Sequence, residues 1–469
     1  MKSLTAVILF FFLLVVAKAQ KEDSANEQLA GFVITNDDSL LMVLFLSKND
    51  SGLYIENISI PDQLVYNLKP SRQSFRNDSL FFEISKAGAK YKGKYDSHSG
   101  SLKGKWTQAK KDFQLDFSKT DKDYSIKRPQ TPLKPYPYSE EEITFINPKD
   151  GVELSGTITI PEGKGPFPAV VIVNGSGQQE RDCEIMGHKW ALVLADHLTR
   201  QGIVTFRYDD RGTGKSGGNP FNATTLTFAE DAAAAYMMLR KHKSADINMT
   251  GIIGHSEGGI IAPVVASKIK DVSFLVLLAA PGIDVSELMV IQNRRIIENE
   301  NILRPEQFQG FETMIRTVYK TILKTPDNNE ARKKVLMIYS AYAKTIDSLQ
   351  VIKLKINEKN LNQQLVTMLS PWYRKFLSIK PSEYNSKVKC PVLALNGSLD
   401  MQVTADENLA AISDSYRSSG NTNLTVKKLT GLNHLFQPAI TGMPEEYSRT
   451  EQTISTEVLD IISNWIKKH

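Results

Sequence analysis

Hydrophobic and polar residues alternate in short runs over residues 31–117. Leu41-Met42-Val43-Leu44-Phe45-Leu46 is an apolar run followed by Asn49-Asp50-Ser51-Gly52, a turn sequence. Lys90-Tyr91-Lys92-Gly93-Lys94-Tyr95 and Leu102-Lys103-Gly104-Lys105-Trp106 alternate strictly. A period of two marks antiparallel strands with one wet face, which predicts a small antiparallel β-barrel-like module over residues 20–126. The lysines between Lys86 and Lys111 alternate with Tyr, Leu and Trp, so they read as its solvated outer face rather than a polyanion patch. From Lys127 to Tyr138, Pro129, Pro132, Pro135 and Pro137 favour stiff, extended backbone, and 127–138 is expected to be an interdomain linker.

The rhythm then changes. Leu154–Ile160, Ala169–Val173, Ile203–Tyr208, Met249–Ile253, Phe274–Leu278, Pro391–Leu395 and Leu424–Lys428 are short β-rich runs. Helical stretches such as Trp190–Thr199, Phe228–Leu239 and Ile260–Ile269 separate them. Strands that are apolar almost throughout, alternating with helices, predict an α/β domain over 139–469 with a mostly parallel, doubly wound sheet. Between about residues 284 and 387 the pattern is amphipathic and helical, with breaks at Pro305, Pro326 and Pro371. This is expected to be a helical cap inserted near the end of one strand.

Composition trims the alternatives. A chain of 469 residues allows roughly three domains at about 150 residues each. With 41% hydrophobic and 23% charged residues it can bury a core, so it is not intrinsically disordered. Its net charge of +5 is too small an excess over this length to suggest a nucleic-acid partner. Two cysteines, Cys183 and Cys390, exclude a disulfide scaffold and a Cys-rich metal site. They fall at opposite edges of the expected sheet, so both thiols are expected to be unpaired.

Met1–Ala19 read as a signal peptide: Lys2, an apolar run from Ala6 to Ala17, and the small-x-small box Ala17-Lys18-Ala19. The run is shorter than the roughly 20 residues of a membrane span, so a secreted or periplasmic protein without a stable span is expected. Sequons at Asn174 and Asn396 fall in segments assigned below to the active site, where a glycan would block access; this favours a bacterial source.

The sharpest chemical signal is Gly254-His255-Ser256-Glu257-Gly258, between the β run ending at Ile253 and the helical run from Ile260. A serine on a tight strand-to-helix turn needs small neighbours two residues to either side. Its hydroxyl needs a base, and the base an orienting acid. In the order Ser, acid, His, the candidates are Asp400, past the strand Pro391–Leu395, and His434, past Leu424–Lys428. Both follow the C-terminal ends of strands, where open α/β sheets build sites. His98, His188, His197, His242, His255 and His469 lack that placement and read as surface or structural residues. An oxyanion hole needs two backbone N–H groups: Glu257 supplies one, and the loop Asn174-Gly175-Ser176-Gly177 the other, Ser176 before Gly177. Gly212-Thr213-Gly214-Lys215-Ser216 imitates a phosphate loop, but Asp209 stands where its first glycine is required. No metal-ligand spacing is present, and neither metal nor cofactor is expected.

These residues resemble the α/β-hydrolase superfamily from about Glu140 to His469, and more narrowly the bacterial EstD-type esterases near its serine aminopeptidase-like branch. The matching stretches are Asn174–Gly177 with Glu180-Arg181-Asp182, Arg207–Ser216, Gly254–Gly259, Ser370-Pro371-Trp372-Tyr373-Arg374, Pro391–Asp400 and Gly431–His434. The front module partly resembles β-rich modules that precede such hydrolases, through Pro61-Asp62-Gln63, Tyr91-Lys92-Gly93 and Gly104–Gln108. The resemblance implies carboxylic-ester hydrolysis of a small-molecule substrate, with Ser256, Asp400 and His434 as the triad. The expectation is a secreted serine esterase for short acyl chains. A peptidase or amidase on the same scaffold, and a non-catalytic glycan- or lipid-binding protein, remain alternatives; oligomeric state is left open.

Overall fold

A computed structural model describes residues 27–34, 39–49, 52–61, 65–122, 124 and 127–469. The expected signal peptide, Met1–Ala19, lies outside the described residues. The chain divides into two compact units, one reaching to residue 128 with 447–451, the other comprising 129–446 and 452–469.

The first unit is a nine-stranded antiparallel sheet. Its strands are β1 (Glu27–Ile34), β2 (Ser39–Asn49), β3 (Gly52–Ile60), β4 (Val65–Leu68), β5 (Arg72–Arg76), β6 (Ser79–Ile84), β7 (Ala89–Asp96), β8 (Ser101–Gln108) and β9 (Lys111–Lys119). They lie in the order β4-β3-β2-β1-β9-β8-β7-β6-β5. Gln73 of β5 accepts from the Ile55 amide of β3 at 2.8 Å and donates to its carbonyl at 3.0 Å. A side-chain amide thus stitches the two ends of the sheet into a nearly closed barrel. The alternation is as expected on β7, where Tyr91 is buried between the exposed Lys90 and Lys92. On β2 the apolar run is buried on both faces. Met42, Leu44 and Leu46 join the barrel core, while Leu41, Val43 and Phe45 are covered by Ala30 and Tyr124.

The second unit begins with β10 (Ser139–Ile146), β11 (Glu153–Ile160), β12 (Phe167–Val173) and a two-residue hairpin, β13 (Glu184–Ile185) and β14 (His188–Lys189). Then come α1 (Trp190–Arg200), β15 (Val204–Tyr208), α2 (Thr225–Arg240), β16 (Ala245–His255), α3 (Gly258–Lys268) and β17 (Leu275–Leu278). The main sheet has the order β10-β11-β15-β12-β16-β17-β18-β19, completed by β18 (Val392–Gly397) and β19 (Leu424–Leu429). It is antiparallel across β10, β11 and β15 and parallel from β15 to β19. This is the α/β-hydrolase fold with an inserted helical cap, preceded by a small antiparallel barrel-like domain. All of Ala169–Val173 and Leu275–Leu278 are buried, as strands covered on both faces must be.

Between β17 and β18 the chain makes the cap: α4 (Val285–Asn299), α5 (Phe308–Lys324), α6 (Asn328–Ala343), α7 (Ser348–Lys353), α8 (Glu358–Met368), α9 (Pro371–Leu377) and α10 (Ser382–Asn385). Helices α11 (Ala405–Ser418) and α12 (Thr456–Ile466) flank β19 in sequence. The proline-rich stretch before β10 has no helix or strand, yet it is held to this unit. Gln130 accepts from the amides of Thr453 and Ile454, and the buried Tyr138 donates to Asp196.

Cys183 and Cys390 are both unpaired. Burial pushes the Cys390 thiol up to about 12 and raises that of Cys183 well above the usual range, so both stay protonated.

Candidate active site

Ser256 sits between the end of β16 and the start of α3 with φ +54°, in the left-handed region that a non-glycine residue enters only under constraint. Its amide donates to the Leu278 carbonyl of β17 at 2.9 Å, which holds the turn. The flanking glycines are needed for space. A Cβ on Gly254 would lie 2.1 Å from the Gly258 carbonyl oxygen, and one on Gly258 would lie 2.2 Å from that of Val173. These positions let the turn fold tightly against the end of β12.

Asp400 and His434 are brought together by the loops after β18 and β19. The Leu399 amide donates to the Leu432 carbonyl at 2.9 Å, and the Ser398 amide to Leu429 at 2.8 Å. Both side chains are buried, and His434 Nδ1–H donates to Asp400 Oδ2 at 2.8 Å. Asp400 Oδ1 accepts from the amides of Gln402 and Val403, each at 2.8 Å. The carboxylate is therefore fixed at both oxygens, and a neutral His434 ring keeps Nε2 as its acceptor.

The loop after β12 lies against the serine. A Cβ on Gly175 would be 3.5 Å from Ser256 Oγ. Gly177 takes φ +104°, and the Ser176 carbonyl accepts from the Gln179 side chain. The loop's far side is anchored by the segment that imitated a phosphate site. Gln179 N donates to Asp210 Oδ2 at 2.9 Å, while the Asp210 amide donates to the Gln179 carbonyl at 3.0 Å. Arg181 clasps Asp209 with two hydrogen bonds of 3.0 and 2.8 Å, Arg207 pairs with Asp182, and Arg211 pairs with Asp231. The Glu180–Asp182 and Arg207–Ser216 stretches thus bind each other. Their charges are spent on structure.

Two side chains at this centre have roles that sequence reasoning did not assign. His255 was expected to be surface or structural, and the structure makes it structural. It is fully buried, its Nε2–H donates to the His434 carbonyl at 2.9 Å, and its ring lies between those of Trp190 and His434 at 4.6 and 4.8 Å. Trp190 in turn donates to the Leu435 carbonyl at 3.1 Å. The pair supports the His434 loop from behind. Burial, and then the neighbouring His434, hold the His255 pKa down at about 3. Because an unfolded histidine titrates near 6.5, only the unfolded chain takes up this proton between those values, so acidification removes stability with a slope of up to about 1.4 kcal/mol per pH unit. His255→Gln, which keeps a donor but cannot titrate, is expected to flatten the fall of Tm between pH 6.5 and 4. Equal slopes for the variant and the parent would eliminate His255 as an acid-sensitive group.

The other is the Glu257 side chain, chosen from sequence only for its backbone N–H. It is buried and accepts from Thr225 Oγ1 of α2 at 2.6 Å and from the Trp372 indole of α9 at 3.0 and 3.2 Å. Burial raises its pKa, against the pull of the hydrogen bonds it accepts.

The chain has similarities to known proteins in sequence and in structure. The family described as serine aminopeptidase, S33, matches residues 170–335, a span that includes Ser256 and ends before Asp400. Esterase EstD of Thermotoga maritima is 27% identical over 344 residues, which is 72% of this chain and 69% of that protein. Among solved structures, a hypothetical protein of Pseudomonas aeruginosa is 15% identical with a TM-score of 0.44, covering 75% of this chain and 99% of its own. An esterase of Pyrococcus furiosus is 14% identical with a TM-score of 0.44, covering 74% and 99%. The sheet order and the strand–serine–helix turn are those of the α/β-hydrolase fold, and the sequence is similar to the serine aminopeptidase, S33, family and to esterase EstD.

Proposed function

We propose that this chain is a serine esterase that cleaves carboxylic esters of short acyl chains through an acyl-enzyme. The observation that carries the reading is the buried Asp400–His434 hydrogen bond beside a serine held in a left-handed turn. The ester preference is taken from the likeness to esterase EstD. Ser256 Oγ attacks the ester carbonyl carbon while His434 Nε2 takes its proton. The amide of Glu257 and that of Ser176, with Gly177 next to it, donate to the oxyanion of the tetrahedral intermediate. Collapse breaks the bond to the alcohol oxygen, which leaves with the proton from His434. Water then gives a proton to His434 and attacks the acyl carbon, and Ser256 leaves with that proton as the acid is released. Asp400 keeps the imidazole in the tautomer that presents Nε2. The residues Met1–Ala19 direct this activity outside the cytoplasm.

The description of the matched family favours a second reading, cleavage of aminoacyl amides by the same residues. A panel of p-nitrophenyl acetate and butyrate against aminoacyl p-nitroanilides separates the two. Turnover of the esters with inert anilides is expected, and the reverse would establish the peptidase. A fluorophosphonate probe should attach to Ser256 in either case. Folded protein that takes up no probe would instead be a binding protein without catalysis.

A further inference from the structure

The motif Ser370-Pro371-Trp372-Tyr373-Arg374 and the carboxylate of Glu257 have no part in the mechanism above, yet they meet. Ser370 caps α9 by accepting from the Tyr373 amide, and Pro371 opens the helix. Within the cap, Tyr373 reaches Tyr319 of α5 at 3.4 Å, and Arg374 donates to the Ile322 carbonyl and to Asn328. Trp372, stacked on Phe376 with centroids 5.5 Å apart, reaches out of the cap to Glu257. One residue of this motif is thus aimed at the catalytic domain while its neighbours fasten the helix to the cap.

A carboxylate buried without an ionic partner is costly, and an apolar residue would fill the same volume without that cost. Here both oxygens are used by donors from two separate elements: α2 through Thr225 and the cap through Trp372. Glu257 is also a residue whose amide donates to the oxyanion in the proposed mechanism.

We propose that the Glu257 side chain is a positioning residue that holds the Glu257 oxyanion-hole amide in place and couples the cap to it through Trp372. This rests on the esterase reading. Because an oxyanion donor acts only if it lies near 3 Å from where the oxygen will be, a loosened joint should weaken the transition state more than substrate binding.

The test uses the full chain with Glu257→Gln, Trp372→Phe and the double variant, each checked for fold by near-UV circular dichroism. Glu257→Gln keeps the shape but offers one acceptor oxygen in place of two. Each single variant is expected to lower kcat on p-nitrophenyl acetate about tenfold, a fraction of the loss seen when a whole oxyanion donor is removed, with KM within about twofold. Affinity for a trifluoromethyl ketone, which forms a tetrahedral adduct on the serine, should fall by the same factor. The double variant should be no worse than the poorer single, because both break one joint. Unchanged kcat, losses that multiply in the double variant, or a loss confined to KM with ketone affinity intact would each overturn the proposal. A parent protein inert towards esters would overturn the esterase reading itself, and that result is distinct from an active parent with indifferent variants.

Discussion

Replacing Ser256 by alanine is expected to reduce hydrolysis of short p-nitrophenyl esters by at least ~10⁴-fold, while the melting temperature holds or rises. The loss follows from chemistry: with Oγ gone, no acyl-enzyme can form, and His434 has no proton to take from the protein. The stability expectation follows from the backbone. Ser256 occupies φ +54°, a strain that the Leu278 hydrogen bond and the two flanking glycines sustain and that alanine inherits. Removing a hydroxyl from beside the Gly175 backbone leaves every one of those restraints in place. Steady-state rates and a thermal melt of the same preparation check both halves. Residual turnover above the uncatalysed rate is attributable to binding and the oxyanion hole. Unchanged turnover would mean that another residue is the nucleophile.

The second large effect is expected for Asp400→Asn, a loss in kcat on the order of 10³–10⁴-fold with KM little altered. Asp400 uses Oδ1 for the amides of Gln402 and Val403 and Oδ2 for His434. An asparagine keeps the first pair by accepting through its oxygen, which turns its NH₂ towards His434 Nδ1. Two donors cannot face each other, so the imidazole is driven to the tautomer with the proton on Nε2. That form has no lone pair for Ser256. Asp400→Ala is the informative companion: it leaves Nδ1 unpartnered rather than wrongly partnered. Rates measured from pH 6 to 9 check the expectation. A variant with near-parental kcat would show that the acid is supplied from elsewhere.

The strand-end placement of the three candidate triad residues was legible because local sequence ties each of them to a strand end. Ile253–Gly258 announces a strand, a turn and a helix within six residues, and Asn396–Asp400 and Gly431–His434 do the same for the other two loops. The strands of the parallel sheet were equally plain, since burial on both faces leaves near-continuous apolar runs. Strand β10 was not. Its sequence Ser-Glu-Glu-Glu-Ile-Thr-Phe-Ile is largely exposed at the sheet edge, so it carries three acids and little periodic apolar signal. The side chain of Glu257 was illegible for a different reason. Its partner Trp372 is far along the chain, inside a cap whose helices could be recognised but whose seating depends on tertiary contacts. His255 differs again: nothing local distinguishes a buried ring from an exposed one, and its burial comes from Trp190 and His434. Local pattern reported backbone and periodicity well, and long-range side-chain hydrogen bonds only where a motif order announced them, as between Asp400 and His434.

The insertion of the whole cap between β17 and β18 has a further consequence. These strands are neighbours in the sheet and are joined residue by residue from Leu275 with Val392 to Leu278 with Leu395. A break in one of the cap's turns would therefore leave two pieces that still share a sheet. In the proposed mechanism the nucleophile would then be on one piece and the acid–base pair on the other, and neither should turn over an ester alone. On that mechanism the chain is arranged as a natural split enzyme, in which recovered hydrolysis would report that the two halves have found each other.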